Sequence, residues 1–247
     1  VPPLARDLGL SEVQTSSIFA ISAFAWALTS AFWGRTSDKY GRRNIAVLGL
    51  VGYSISLIAL ITPLFLVERN ILDVVYLFPA LVLGRLLNGL VGSASRPASF
   101  AYIADTSSKE KRTVKFARLE ASFLVGTVVG PLIGGFLFLI TNETPFYVFS
   151  FLALIAAFGI YKEVNNTSIK KDDAKNTIKI KWYSKTILPF LAYAAVLSLC
   201  QASLIQSIGF YITDLFREFD DLPTLISMTF ALLSISTIVS QYLFTDT

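Results

Sequence analysis

The sequence predicts an all-α membrane protein that crosses the bilayer several times. Hydrophobic residues fill 54% of its 247 positions and charged residues only 15%, a balance outside that of soluble domains. The apolar residues are gathered in uncharged runs of membrane-spanning length, and most charges lie between the runs. Because only helices and closed barrels satisfy their own backbone in lipid, and runs of this length are typical of helices, we predict helical spans.

Seven such runs follow one another along the chain. We predict spans at about 12–33, 45–67, 79–104, 114–140 and 146–161, followed by two more at about 186–209 and 223–244. Ser11, with Gln14 three residues later, predicts a helix N-cap at the start of the first span. The Lys-rich polar stretch 163–185 predicts an interdomain linker between the fifth and sixth spans.

The distribution of basic residues predicts the orientation. Sixteen of the 21 Lys and Arg residues lie in the segments 34–43, 105–118 and 162–185, which this topology places on one side. Only three lie in the segments of the other side. The basic side is therefore predicted to be cytoplasmic. The same distribution explains the net positive charge, so we predict a lipid bilayer as partner and no nucleic acid.

The sequence lacks the residues that several kinds of functional site require. It contains no His and a single cysteine, Cys200, which argues against zinc sites, Ser-His-Asp catalysis and a disulfide framework. We therefore predict a protein that is not an enzyme and needs no metal or cofactor. The sequence starts without Met and ends directly after an apolar run, so we interpret it as a piece of a longer protein.

The segment 34–43 between the first two spans is the densest in charge, and it reads GRTSDKYGRR. Its glycines permit a tight turn, and Asp38 precedes Arg42 by four residues, within ion-pair reach on a helical turn. The spacing Gly-x3-Asp-Lys-x-Gly-x-Arg resembles the signature loop of the major facilitator superfamily of transporters. The alternative is that these charges only set the topology.

The resemblance implies the major facilitator fold, in which two six-helix bundles are joined by a long cytoplasmic loop. The chain would then hold about the second to the eighth helix, an incomplete fold. Residues 1–162 would form the N-terminal bundle without its first helix, 163–185 the linker, and 186–247 the start of the C-terminal bundle. The resemblance also implies an inner gate that latches the bundles, formed by Gly34, Arg35, Asp38, Lys39, Gly41, Arg42, Arg43 and Asp105.

The third span carries two arginines. An arginine inside a lipid span costs at least about 2.5–3.5 kcal/mol, so Arg85 is expected to face a water-filled path or a partner. Arg96 follows eleven residues later, which on a continuous helix places the two side chains within about 20° of each other. Snorkelling to the interface is the alternative, chiefly for Arg96. Polar and small residues here and in the sixth span complete the predicted transport path: Arg85, Asn88, Gly89, Gly92, Arg96, Gln201 and Gln206.

A glycine-rich pattern marks the fourth span. It reads Gly-x3-Gly-Pro-x2-Gly-Gly, and glycines four apart let helix backbones approach while a mid-span proline bends the helix. The pattern resembles the fifth-helix motif of the antiporter branch of the superfamily. That resemblance implies a hinge at Gly126, Gly130, Pro131, Gly134 and Gly135.

Glu120, in the inner part of the same span, allows two interpretations. It could form an ion pair with a cytoplasmic Lys or Arg. Alternatively it could be a proton-coupling carboxylate with a pKa raised by burial. Its surroundings, with 102–108 and 112–113, also resemble the proton-coupled folate transporters, which are importers.

Together these features predict a secondary active transporter that works by alternating access. The segments 84–92 and 102–105 and the glycine-rich pattern resemble bacterial tetracycline-type efflux proteins, which implies proton-coupled export of a small amphipathic or drug-like molecule. The proton would be the coupling ion, the protein a monomer, and the bacterial inner membrane its place. A proton-coupled importer of an organic solute, or a non-transporting scaffold or receptor on the same fold, are the alternatives.

Overall fold

The computed structural model describes residues 9–167 and 188–216, and the short pieces 224–226, 228–229, 232–233 and 235–236. These residues form helices and turns without a β-strand. Five helical segments are long and apolar enough to cross a membrane, and they cover the first five predicted spans. The prediction of an all-α membrane protein is confirmed.

The helices are named here in chain order: α1 Glu12–Tyr40, α2 Arg42–Glu68, α3 Leu77–Leu90, α4 Ser95–Thr106, α5 Lys109–Phe138, α6 Thr144–Glu163 and α7 Leu188–Leu215. The third span is therefore broken into α3 and α4, which are joined by a 3₁₀ turn at Gly92–Ala94, and another 3₁₀ turn at Val74–Tyr76 precedes α3. α7 overlaps the sixth predicted span.

Two predicted segments lie largely outside the described residues. They are the linker, apart from 163–167, and the last span at 223–244, apart from short pieces. The division of the chain into two bundles and a linker therefore stays a prediction.

The helices run farther than the predicted spans at their charged ends. α1 begins with the predicted capping box, in which the Ser11 hydroxyl accepts from the Gln14 amide at 3.2 Å and the Gln14 side chain accepts from the Ser11 amide at 2.9 Å. At its other end α1 continues to Tyr40, so the predicted charged hairpin at 34–43 is helical apart from Gly41. A helix can leave the hydrocarbon region because its backbone is already paired and its charged side chains are solvated there.

α2 is the central helix of the described bundle. It packs against α1, α3, α4 and α6, and half of its apolar span is buried, a larger share than in any other candidate span. Near its C-terminal end Leu60, Ile61 and Leu64 are almost completely buried, against residues of α1, α3 and α6 that include Ile18, Leu81 and Phe146. A second, smaller cluster joins the start of α2 to α4.

Side chains of α1 bind the break between α3 and α4. The Trp33 indole donates to the Leu90 carbonyl at 2.6 Å, and the Thr29 hydroxyl donates to the Gly89 carbonyl at 2.9 Å. Carbonyls next to a 3₁₀ turn lose their usual partner four residues on, so donors from a neighbouring helix satisfy them. The sequence analysis missed this break and the role of Trp33 in satisfying its carbonyls.

Candidate functional site

The predicted gate residues meet around one buried arginine, Arg42, at the start of α2. Its side chain is only 4% exposed and forms ion pairs with Asp38 of α1 and Asp105 of α4. Arg42 Nε donates to Asp105 Oδ2 at 2.9 Å, and Arg42 Nη1 donates to the Ser37 hydroxyl at 2.7 Å. The two carboxylates keep partial exposure, 43% for Asp38 and 32% for Asp105. Arg42 therefore joins α1, α2 and α4 through charge.

The other predicted gate cations have different surroundings. Arg43 Nη1 donates to the Tyr161 carbonyl of α6 at 3.3 Å, and its guanidinium lies 4.7 Å from the centre of the Tyr161 ring. Arg35 and Lys39 are exposed. Of the four cations, Arg42 thus holds the helices together, Arg43 reaches α6, and the two exposed ones face outward from the bundle.

Gly41 forms the whole break between α1 and α2. Its φ of +96° belongs to a backbone region that side chains rarely enter. The Asn166 side chain lies against its α-carbon so closely that a β-carbon would overlap it. The Arg42 amide, at the N-terminus of α2, donates to the Thr167 carbonyl at 2.8 Å. The residues just after α6 therefore close over this break.

Arg85 of α3 is half-buried and lies against α1. Its guanidinium is 4.8 Å from the centre of the Phe19 ring, and its own carbonyl accepts from the Ser22 hydroxyl at 2.8 Å. One turn later the Asn88 side-chain oxygen is buried without a hydrogen-bond partner in the described part of the chain. It lies beside the α-carbon of Gly92, where a β-carbon would overlap it. Gly89 is buried against α1, where Ser22 leaves no room for a side chain.

Arg85 and Arg96 contact different helices. Arg85 contacts α1, whereas Arg96 forms an ion pair with Glu120 of α5. The expected alignment of the two side chains assumed a continuous helix, and the 3₁₀ turn at Gly92–Ala94 lies between the two arginines. Turns of that kind change the rotation per residue, so the angle derived for a continuous helix does not hold.

Glu120 pairs with Arg96 rather than with a cytoplasmic Lys or Arg. Arg96 Nη2 donates to Glu120 Oε1 at 3.0 Å and lies 3.3 Å from Oε2. Both side chains are about half exposed. Among the described residues, Glu120 does not belong to a group of three or more Asp, Glu or Cys side chains that could hold a metal ion. Arg96 thus has a specific partner on α5, and the alternative of snorkelling to the interface stays untested.

The glycine-rich segment of α5 has a more open environment than its pattern predicts. A β-carbon added to Gly126 or Gly130 would meet no described neighbour within 4 Å. One added to Gly134 would lie 3.6 Å from the Phe149 ring of α6. Pro131 lies inside the helix. Close packing within the described bundle is thus confined to the outer part of the pattern, and the hinge role that includes Gly135 stays a prediction.

Two residues of the predicted transport path lie on α7. The side chains of Gln201 and Gln206 fall outside the described ones, so their part in the path stays a prediction.

Residues that the sequence analysis missed supply several contacts of the site. They are hydroxyls and an indole that pair helices: Ser22, Thr29, Trp33, Ser37, Ser54, Ser56, Ser93 and Ser150. The Ser56 hydroxyl, for example, donates to the Gly84 carbonyl at 2.7 Å. Small polar residues in an apolar span often bridge helices. The number of Ser and Thr residues in these spans could therefore have indicated such contacts.

The fold and the charged inner end define a polytopic helical membrane protein with an ion-paired helix break. A family model for the Major Facilitator Superfamily matches residues 1–246. The chain belongs to this superfamily.

Two curated relatives refine the comparison. The chain is 29% identical over 193 residues to the tetracycline resistance protein, class B, of Escherichia coli, covering 76% of this chain and 44% of that protein. It is 27% identical over 205 residues to the quinolone resistance protein NorA of Staphylococcus aureus strain MSSA476, covering 81% of this chain and 49% of that protein. The chain thus spans about half the length of these relatives.

Proposed function

We propose that the protein is a secondary active transporter that exports a small amphipathic or drug-like molecule in exchange for protons. The observation that carries the proposal is the Arg42 cluster, in which one buried cation ties two helix ends to a third at a helix break. Ion pairs at a helix end form an element with two states, because the partly exposed carboxylates can exchange partners. Membership of the superfamily and likeness to two resistance proteins support this proposal.

The gate works in this proposal through Asp38 and Asp105. Arg42 is buried and fixed by Ser37, whereas both carboxylates keep contact with solvent. A second bundle that approached this end could therefore compete for the carboxylates. Making and breaking such pairs would favour one orientation of the bundles over the other, as alternating access requires.

A charge inside the spans supports proton coupling. Glu120 is the acidic residue of the described spans that lies well away from the helix ends and is ion-paired to a span arginine. Protonation would remove its charge and release Arg96, so a proton can change the charge balance of the path. We place the protein in the bacterial inner membrane, as a monomer that needs no cofactor besides the proton.

The first prediction concerns this coupling. In proteoliposomes that contain the full-length protein, an imposed pH gradient is expected to drive accumulation of an amphipathic drug-like compound such as tetracycline. Exchange at equilibrium, without a gradient, is expected to continue. Measuring both in the same vesicles separates transport from its coupling.

Collapsing the gradient with a proton ionophore is the control. Accumulation that ignores the gradient would refute proton coupling, and import with protons, as in the folate-transporter-like alternative, would reverse the direction of the effect. Failure of both exchange and accumulation for every compound would favour a non-transporting scaffold.

A further inference from the structure

Arg96, Glu120 and three phenylalanines form a separate cluster between α4 and α5. The Arg96 guanidinium lies 4.9 Å from the centre of the Phe123 ring and 5.7 Å from that of Phe100. Phe100 in turn stacks on Phe116 of α5, with centres 5.5 Å apart and planes 23° from parallel. An ion pair with an aromatic surface on its flanks is thus built from two neighbouring helices.

The cluster lies inside the spans and is still open. Glu120 is eleven residues from the start of α5, and Arg96 ten residues before the end of α4, which at 1.5 Å per residue is roughly 15 Å from the charged end of each helix. The Arg96 side chain is 51% exposed and that of Glu120 46%. A charged side chain inside a span is stable only if it contacts water or a partner of opposite charge. The exposed side of this cluster is therefore expected to face an aqueous cavity.

The charges limit what can enter the cluster. A ligand with only a positive charge could pair with Glu120, but it would leave Arg96 without an anionic partner and next to a second cation. A ligand with only a negative charge could take Arg96, provided that Glu120 is neutralised. Glu120 can lose its charge by taking up a proton, whereas Arg96 stays charged and continues to need an anionic partner. The cluster therefore accepts an acidic group more readily than a permanent cation.

The phenylalanine rings favour a ligand that carries an aromatic ring besides its acidic group. Phe123 is 41% exposed and Phe100 is partly buried, so both offer ring surface next to the guanidinium. Aromatic rings stack on such surfaces, and a guanidinium binds a carboxylate through two parallel hydrogen bonds. Ring and acid would thus be recognised side by side.

We propose that Arg96, Glu120, Phe100 and Phe123 form a binding site for an aromatic organic acid. Its acidic group binds Arg96 while Glu120 is neutralised, either by a proton or by a basic group of the same ligand. The proposal rests on the proposed transport function, in which this site would select the substrate. It predicts that permanently cationic aromatic compounds are excluded.

The charged surroundings of Glu120 are simple in the described part of the chain. Arg96 contacts it from α4, and Tyr102 of α4 lines a small cavity with the adjacent Leu119, which Arg42 and Arg43 of α2 also line. α6, which also packs against α5, carries Lys162 and Glu163 at its C-terminal end, 4.0 Å from each other. On α5 itself the nearest charge is Arg118. Arg96 is thus the cation that directly stabilises the ionised carboxylate.

The test is equilibrium binding of three naphthalene probes to the full-length protein in detergent. The probes are 2-naphthoate, 2-naphthylalanine and trimethyl(2-naphthylmethyl)ammonium, which share the ring and differ in charge. We expect one or both acids to bind at least about tenfold more tightly than the ammonium compound. Binding of naphthoate that strengthens from pH 7.5 to pH 5.5 would identify the proton as the neutralising group, and pH-independent binding of naphthylalanine would identify the ligand's own ammonium.

Variants assign the effect to the cluster. Arg96→Gln is expected to lower the affinity for the acids about tenfold or more and Arg96→Lys to restore part of it. Glu120→Gln is expected to make naphthoate binding independent of pH, and Phe123→Leu to weaken all probes that bind. Arg118→Gln, on the same helix, is the matched control and is expected to leave the affinities unchanged. Thermal unfolding of each variant shows that it is folded.

Two results would overturn the proposal: a permanent cation that binds as tightly as the acids, or acid binding that survives Arg96→Gln in a folded protein. Binding in detergent requires no transport. If charge selection fails while pH-driven accumulation persists, this site assignment is wrong and the proposed function stands. If the acids bind as expected but no gradient drives transport, the proposed function is wrong and the site remains.

Discussion

Replacing Arg42 with glutamine is expected to destabilise the full-length protein by about 3 kcal/mol. This is the lower end of the range for breaking a buried ion pair, because both carboxylate partners keep some contact with water. Glutamine retains the length and a donor but not the charge, so the two acids would lie close together without a cation. Thermal unfolding in detergent, followed by intrinsic fluorescence, measures the loss.

Arg43→Gln is the matched control for this change. The two arginines are adjacent in the sequence, but Arg43 is more exposed than Arg42. It contacts the Tyr161 carbonyl, the face of the Tyr161 ring and the neighbouring Asn44 side chain. Its loss is expected to cost well under about 1 kcal/mol, as for most exposed interactions. Equal destabilisation by the two substitutions would contradict the assignment of Arg42 as the residue that joins α1, α2 and α4.

Gly41→Ala is expected to have a similarly large effect, a destabilisation of about 2–4 kcal/mol. The backbone at φ +96° costs a residue with a β-carbon about 1–3 kcal/mol. The overlap with the Asn166 side chain adds the cost of an overpacked site. The same unfolding measurement applies, and the affected helix break is the one that carries Arg42.

A double substitution separates the two causes. Asn166→Ala removes the overlap, so Gly41→Ala should cost less in that background, and the remainder measures backbone strain. A Gly34→Ala control, where a β-carbon would meet open space within a helix, is expected to be neutral or slightly stabilising. Gly41→Ala that is as harmless as Gly34→Ala would show that the break does not need glycine.

The first five spans could be predicted because membrane helices impose a simple rule on the sequence. Uncharged runs near 20 residues have one stable solution in lipid, so the runs beginning near Ile18 and Ile45 are found as parts of α1 and α2. The helix ends could not be placed from hydropathy. Charged residues such as Arg35 and Lys39 end an apolar run without ending a helix, since the backbone pattern continues to Tyr40.

The site could be predicted where it depends on local spacing. Asp38 and Arg42 are four residues apart and are found as an ion pair. The approach of Asp105 to this pair was inferred from a family resemblance, because 63 residues separate it from Arg42 and nothing in the spacing indicates the contact. Glu120 and Arg96 show the same limit, since their pairing depends on how α4 and α5 are placed.

The break between α3 and α4 bears on the predicted alignment of Arg85 and Arg96. Gly92 and Pro97 were visible in the sequence, but the run continues to be apolar across them. A 3₁₀ turn there becomes stable because Thr29 and Trp33 of another helix donate to the freed carbonyls. Such partners come from tertiary packing, so neither the break nor the contact of Arg96 with α5 could be derived from the sequence of this span alone.

The central claim is that the inner end of this bundle acts as a gate, and Asp38→Asn tests it most directly. Asn keeps the size of the side chain and removes the charge that pairs with Arg42. Transport of tetracycline by the full-length variant is measured in proteoliposomes, with the amount of inserted protein determined in the same vesicles. Asp73→Asn is the matched control, because Asp73 precedes α3 near the opposite end of the span and caps a turn through an oxygen that Asn retains.

We predict that Asp38→Asn inserts normally and loses at least about nine-tenths of the transport rate, which corresponds to a rise of about 1.4 kcal/mol in the barrier. Asp73→Asn should transport at the rate of the unmodified protein. Transport by Asp38→Asn at the unmodified rate would contradict the gate, and with it the account of the Arg42 cluster given above.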